Sequence, residues 1–223
     1  WGKNMEISLF EVTGPVMVGP SSSHTAGAAR LALVAREIAG AFDHVSFGLH
    51  GSFAKTYRGH GTDKALVAGV LGLSPQDERL RHSFELAKER GVTFDFYEAE
   101  LDGAHENTVS MTFVKRGGEE ITIVASSLGG GRIRISRIGD YPAEITAEAP
   151  TLVVVQRDQR GMVSEISRIL SAHGINIGMM RLTRTARGEV ALCVLETDSA
   201  LEPAMVQEIA RVPGVLSARA ICV

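Results

Sequence analysis

The run Gly19-Pro20-Ser21-Ser22-Ser23-His24-Thr25 sets three serines, a threonine and an imidazole directly before the apolar helical pattern Ala28 to Ile38. Serine and threonine at a helix start satisfy backbone N–H groups that lack intrahelical partners. Those groups, with the helix dipole, favour a carboxylate or phosphate. The same positive end disfavours an imidazolium, which leaves His24 with the chemistry of a neutral general base. The plainer reading is a helix cap with spare hydroxyls. Two later runs repeat the composition: Gly59-His60-Gly61-Thr62-Asp63 before Leu66, Val67, Val70 and Leu71, and His105-Glu106-Asn107-Thr108 before the alternation Val109, Met111, Phe113. Imidazoles at three element starts can converge on one pocket, although by local context alone His60 and His105 read as loop histidines. His44, His50, His82 and His173 have no companion pattern and are assigned no role.

The elements that must position these residues follow from periodicity and capping. The pattern predicts a helix over 23–39, a strand over 45–50, a short helical turn through Lys55 and Tyr57, and a helix after Asp63. Ser74-Pro75 with Asp77 reads as a further helix start, stopped by Gly91. Strands follow over 92–97, 107–115, 120–126 and 132–138, the middle pair joined as a hairpin through Gly117-Gly118. The stretch 139–144 breaks the alternation and 146–150 reads as a linker, so the chain divides near 140–149. Beyond it, the β-branched run Leu152 to Gln156, the helical spacing Met162, Val163, Ile166, Ile169, Leu170, strands over 175–182 and 189–196, a helix through Met205, Val206, Ile209 and Val212, and a last strand over 215–223 give the order βαββαβ. The class is α+β, a mixed α/β front part followed by a ferredoxin-like unit.

Composition removes several functions. A net charge of −3 carries no electrostatic footprint for nucleic acid, and Arg132, Arg134 and Arg137 read as a solvated strand face. No apolar run approaches a membrane span and no signal peptide is read, so a cytoplasmic protein is expected. The two cysteines, Cys193 and Cys222, form no C-x-x-C pair and read as packing thiols. No phosphate loop, H-E-x-x-H, G-x-S-x-G or G-x-G-x-x-G run is present.

The three histidine runs, with the opening Ser8-Leu9-Phe10-Glu11-Val12 and the turn Ser126-Ser127-Leu128-Gly129-Gly130-Gly131, resemble the β part of iron–sulfur-dependent L-serine dehydratase over nearly the whole chain. The resemblance implies α,β-elimination of water from L-serine, giving pyruvate and ammonia. His24 would be the base, with His60 beside it orienting or donating. Ser21, Ser22, Ser23, Thr25, Asp63, His105 and Asn107 would contact substrate, Asp63 alternatively capping its helix. A [4Fe-4S] cluster normally takes three or four thiolates, so the resemblance implies that a separate cysteine-bearing alpha subunit ligates it and that no metal ligand comes from this chain. Residues 149–223 resemble an ACT domain, after a serine dehydratase β domain at 1–148. That likeness implies self-association and an amino-acid effector at Gln156, Asp158, Gly161 and Asn176, although Arg160 replaces the proline usual before the glycine. Asp158 and Asn176 read alternatively as a helix cap and a turn residue. Two other functions are open: an amino-acid-sensing regulatory subunit without catalytic residues, and an anion-binding module of another enzyme, akin to the accessory domain of certain phosphoglycerate dehydrogenases.

Overall fold

A computed structural model describes residues 21–222. The run Ser8–Val12, and Gly19-Pro20 of the first motif, lie outside the described residues. A π-helical turn, Ser22–Gly27, passes without a break into α1 (Ala28–Ala39). Next come β1 (His44–Leu49), α2 (Gly51–His60), α3 (Thr62–Val70), a 3₁₀ turn (Glu78–His82), α4 (Ser83–Glu89) and β2 (Thr93–Glu98). Four antiparallel strands follow: β3 (Thr108–Val114), β4 (Glu120–Gly129), β5 (Arg132–Ile138) and β6 (Tyr141–Ile145). The sheet order is β2-β1-β3-β4-β5-β6, with β1 and β2 parallel across the helical crossover.

The second sheet holds β7 (Thr151–Arg157), β8 (Ile177–Arg184), β9 (Val190–Thr197) and β10 (Val215–Ile221), in the order β10-β7-β9-β8. With α5 (Met162–Ala172) and α6 (Pro203–Ala210) between strands, this is the ferredoxin-like arrangement the pattern predicts.

Helix α1 is the centre of the molecule. It is rich in alanine and buries Ala28, Ala29, Leu31, Ala32, Val34, Ala35, Ile38 and Ala39. Small side chains let α3 approach so closely that a Cβ on Gly69 would lie 2.3 Å from the Ala29 carbonyl oxygen. The core around α1 takes in Phe47, Met111, Phe113, Ile123, Ile133 and Ile135 of the first sheet and also Val153, Leu192, Val194 and Ile221 of the second. On the opposite face of the second sheet, Leu152, Val154, Cys193 and Leu195 pack with Met162, Ile166, Ile169 and Leu170. Because alternate residues of β7 enter different cores, that strand reads as a continuous apolar run.

Three expectations are corrected. Ser74-Pro75 starts no helix: Ser74 O accepts the Asp77 N–H in a turn, and Asp77 caps the later 3₁₀ turn by accepting from the Arg79 N–H. The stretch 139–144 does not end the sheet, because Gly139 (φ +55°) turns the chain into β6, which pairs with β5 as an edge strand. Cys193 is buried but Cys222, just past the end of β10, is exposed. Among the described residues, no helix is long and apolar enough to cross a membrane.

Candidate functional site

His24 is held by hydroxyls on both sides of its ring. It lies in the π-helical turn, a geometry that is rare and recurs at functional sites, and it is 9% exposed. Its Nδ1 is 3.1 Å from Ser23 Oγ and 3.4 Å from Ser21 Oγ, and its Nε2 is 3.1 Å from Ser52 Oγ. A hydroxyl donates to a lone pair or accepts from an N–H, so these partners hold either neutral tautomer. The ring meets Phe53 edge-on at 5.3 Å and His60 at 4.8 Å between centroids. Burial lowers the pKa of His24, and the neighbouring His60 lowers it further. Both effects favour the neutral imidazole, with desolvation as the larger cause.

The turn is tied on every side. Ser21 is its N-cap, its Oγ accepting the His24 N–H at 3.2 Å and its carbonyl accepting the Thr25 N–H at 3.0 Å. These two N–H groups are consumed within the turn and are not free for an anion. Ser22 lies in the same turn, and its side chain is outside the described set. Thr25, 1% exposed, donates through Oγ1 to the His60 carbonyl at 3.2 Å. His60 itself is exposed and ends α2 rather than opening a helix. Gly61, at φ +69°, makes a left-handed joint that only glycine adopts freely, and α3 restarts at Thr62. Asp63 accepts the Lys64 N–H in the first turn of α3 and bonds no imidazole; burial raises its pKa.

The third run joins the cluster through its backbone. Ser52 and Phe53 donate their N–H groups to the Glu106 carbonyl, one residue before Asn107, whose own carbonyl accepts the Ser127 N–H. The His105 ring does not reach His24. It is exposed, accepts the Asn107 N–H through Nδ1 at 3.1 Å, and lines a separate cavity with Ser126, Arg134 and Arg137. The buried atoms Asn107 Oδ1, Thr62 Oγ1 and Ser127 Oγ have no hydrogen-bond partner among the described residues. Orphaned buried polar atoms are rare and invite a ligand or water. Ser52, Phe53, Thr62 and Ser127 are absent from the residues the sequence singles out. Thr62 and Ser127 sit inside runs that were recognised, whereas Ser52 follows a strand end with no motif of its own.

In the second sheet the structure separates the expected effector residues. Gln156 is 2% exposed, and its Oε1 has no partner among the described residues. Gly161, at φ +90°, starts α5 as its N-cap. Asp158 is not the cap: its Oδ2 accepts from Arg184 at 2.7 Å and from the Gly188 N–H at 2.9 Å, and these contacts, Gly188 first, hold its carboxyl below the usual range. Asn176 donates to Asp198 at 2.7 Å, at the far end of β8 from Arg184. Eight strand residues span roughly 25 Å, so one chain does not bring Asp158 and Asn176 together.

The described residues do not by themselves fit an iron–sulfur cluster. Among the described residues no three His, Cys, Asp or Glu side chains gather as metal ligands. Burial pushes the Cys193 thiol up to about 11, far from the thiolate a cluster requires.

Residues 8–88 match the family described as serine dehydratase beta chain, and residues 151–214 match the ACT domain. The chain is 42% identical to an L-serine dehydratase beta chain of Peptoniphilus asaccharolyticus, over 88% of this chain and 89% of that one. It is 34% identical to a probable L-serine dehydratase beta chain of Bacillus subtilis, over 94% and 95%. A D-3-phosphoglycerate dehydrogenase of Bacillus subtilis is 27% identical over 71% of this chain and 30% of its own length.

Proposed function

This chain belongs to the family of L-serine dehydratase beta chains, and from that membership and the His24 cluster we propose that it completes the active centre of an L-serine ammonia-lyase. The iron–sulfur cluster sits on a separate cysteine-bearing alpha subunit. L-serine loses its α-proton and its β-hydroxyl as water. The resulting aminoacrylate tautomerises to an imine and hydrolyses to pyruvate and ammonia.

His24 takes the α-proton. A base works best with a pKa near the working pH, and burial beside His60 favours the unprotonated imidazole that can accept the proton. Ser21, Ser23 and Ser52 orient the ring. Thr25, committed to the His60 carbonyl, fixes the turn instead of touching substrate. Asn107 Oδ1, buried and without a partner among the described residues, is an acceptor suited to the substrate ammonium. His60 shapes the charge around the base, while His105, whose ring lines a separate cavity, takes no part in the proton step.

The observation that supports this reading most is a buried imidazole with a hydroxyl on each nitrogen, next to a second imidazole. A shared fold would not suffice, since the related phosphoglycerate dehydrogenase carries a different activity. Replacing His24 by Gln in the complex with the alpha subunit tests it. General-base loss predicts a rate drop of about 10²–10⁴ with complex formation intact. A surviving rate means that the chain is a regulator.

The ACT domain is the self-association element. Its edge strand β8 exposes Met180 (36%) and Leu182 (44%). Antiparallel pairing of two such edges sets the Asn176 end of one copy against the Asp158–Gly161 end of the other, assembling an effector site that one chain lacks.

A further inference from the structure

Three arginines from three different elements meet at the seam between the two sheets. Arg36 comes from α1, Arg90 from the C-terminus of α4, and Arg219 from β10 of the second sheet. Together with Glu37, Phe42 and Leu71 they line an open cavity of about 420 Å³. Glu37 is the one carboxylate on the wall.

Each guanidinium group lies against backbone at the end of a helix. Arg219 lies so close over Gly40 that a Cβ there would sit 2.9 Å from its Nη2, and Gly40 at φ +79° is the residue that ends α1. Arg36 lies at ordinary van der Waals distance from Gly72, where a Cβ would sit 3.5 Å from its Cζ, and contacts Glu37 through Nη1. Arg90 Nη1 donates to the Leu71 carbonyl at 2.6 Å. Capping of helix ends accounts for part of this arrangement, since α1, α3 and α4 all finish here and their C-termini attract cations. It does not account for Arg219. Among the described residues that side chain makes no ion pair, and Arg36 and Arg90 each retain N–H donors beyond the contacts named.

We infer that this cavity binds a small dianion, a phosphate group or a dicarboxylate, clamped between the front sheet's helices and the ACT strand β10. Planar guanidinium forks match both oxyanion geometries bidentately, and three of them facing one carboxylate leave a positive site. The apolar wall of Phe42, Val70 and Val92 accommodates a short carbon chain. The site is also placed to matter for the other end of α1. Gly40 closes that helix at the cavity, and its first turn continues into the π-helical turn carrying His24, about 18 Å away along twelve residues. A ligand bridging α1 and β10 braces the helix that positions the imidazole.

The test is titration calorimetry on the full chain, with inorganic phosphate and succinate as separate probes at physiological ionic strength. No turnover is measured, so failure here leaves the ammonia-lyase reading untouched. Saturable binding of either probe is expected, weakened at least tenfold in Arg219→Ala and partly restored in Arg219→Lys, which returns the charge without the fork. Arg219 is exposed, and an unchanged urea midpoint for the Ala variant shows that its fold is intact. Phosphate binding alone identifies a phosphate group, and succinate binding alone a dicarboxylate. Absence of saturable heat with both probes overturns the inference, as does binding that is the same in wild type, Arg219→Ala and Arg90→Ala.

Discussion

Substituting Gly69 by alanine sets two effects of known size against each other. In an ordinary helix interior the change adds about 1 kcal/mol of stability, because glycine costs more backbone entropy than alanine. Here the new Cβ would lie 2.3 Å from the Ala29 carbonyl oxygen, 2.6 Å from Ala32 Cβ and 2.9 Å from the Leu33 nitrogen. Two of the three are backbone atoms, so no rotamer relieves the overlap. Normal carbon–oxygen contact is roughly 3.3 Å, and α3 must back away from α1 by about 1 Å. A gap of that size forfeits a quarter to a half of the dispersion energy along the seam. Overpacking costs typically about 1–3 kcal/mol and occasionally more; with backbone on one side, the upper end applies and outweighs the propensity gain. The expected result is a net loss of about 2 kcal/mol, or roughly 4–8 °C in Tm for a chain of this size. Scanning calorimetry and urea unfolding of the single variant measure it. The complex with the alpha subunit should also lose activity well below the melting temperature, since α1 carries the His24 turn. A variant as stable as wild type, or more so, refutes the close-packed seam and with it the account of why α1 is rich in alanine.

Three further outcomes are expected. Because burial lowers the His24 pKa, the unfolded chain takes up that proton first on acidification; stability from this group is whole above its ordinary value of 6.5 and falls as pH drops from there toward the folded value, at up to about 1.4 kcal/mol per pH unit. Urea midpoints across that window should flatten in His24→Gln, and an unchanged slope counts against a depressed His24. Removing the Ser52 hydroxyl strips His24 Nε2 of its 3.1 Å partner. A hydrogen bond worth about 1 kcal/mol predicts a kcat of the complex reduced roughly fivefold at unchanged KM, and a changed KM with full kcat would place Ser52 on the substrate instead. Iodoacetamide at pH 8 should label exposed Cys222 and spare Cys193, which is buried with its thiol pushed up to about 11; mass spectrometry showing Cys193 labelled in the folded chain contradicts the packing of the second sheet.

Much of the fold was legible because its signals are local. The βαββαβ order follows from periodicities of 3.6 and 2 within single segments, and β7 reads as a strand because both its faces are buried. What failed was punctuation. Pro142 reads as a breaker, yet β6 is the sheet's edge, where a missing N–H costs no ladder bond. Ser74-Pro75 has the composition of a helix start, but Asp77 captures the Arg79 N–H and moves the start downstream. The candidate site divides along the same line. His24, Ser21 and Ser23 meet within one turn, so their spacing announces them. Ser52 reaches the other nitrogen of the same ring from 28 residues away, on a helix whose placement depends on its N–H bonds to Glu106. His105 shows the converse, a motif residue beside the right backbone whose ring faces a different cavity. A short run thus shows which groups can react, whereas the partner that orients a buried base is chosen by the sheet and crossover that bring distant segments together. That is why the hydroxyl opposite Ser23 had to come from tertiary structure.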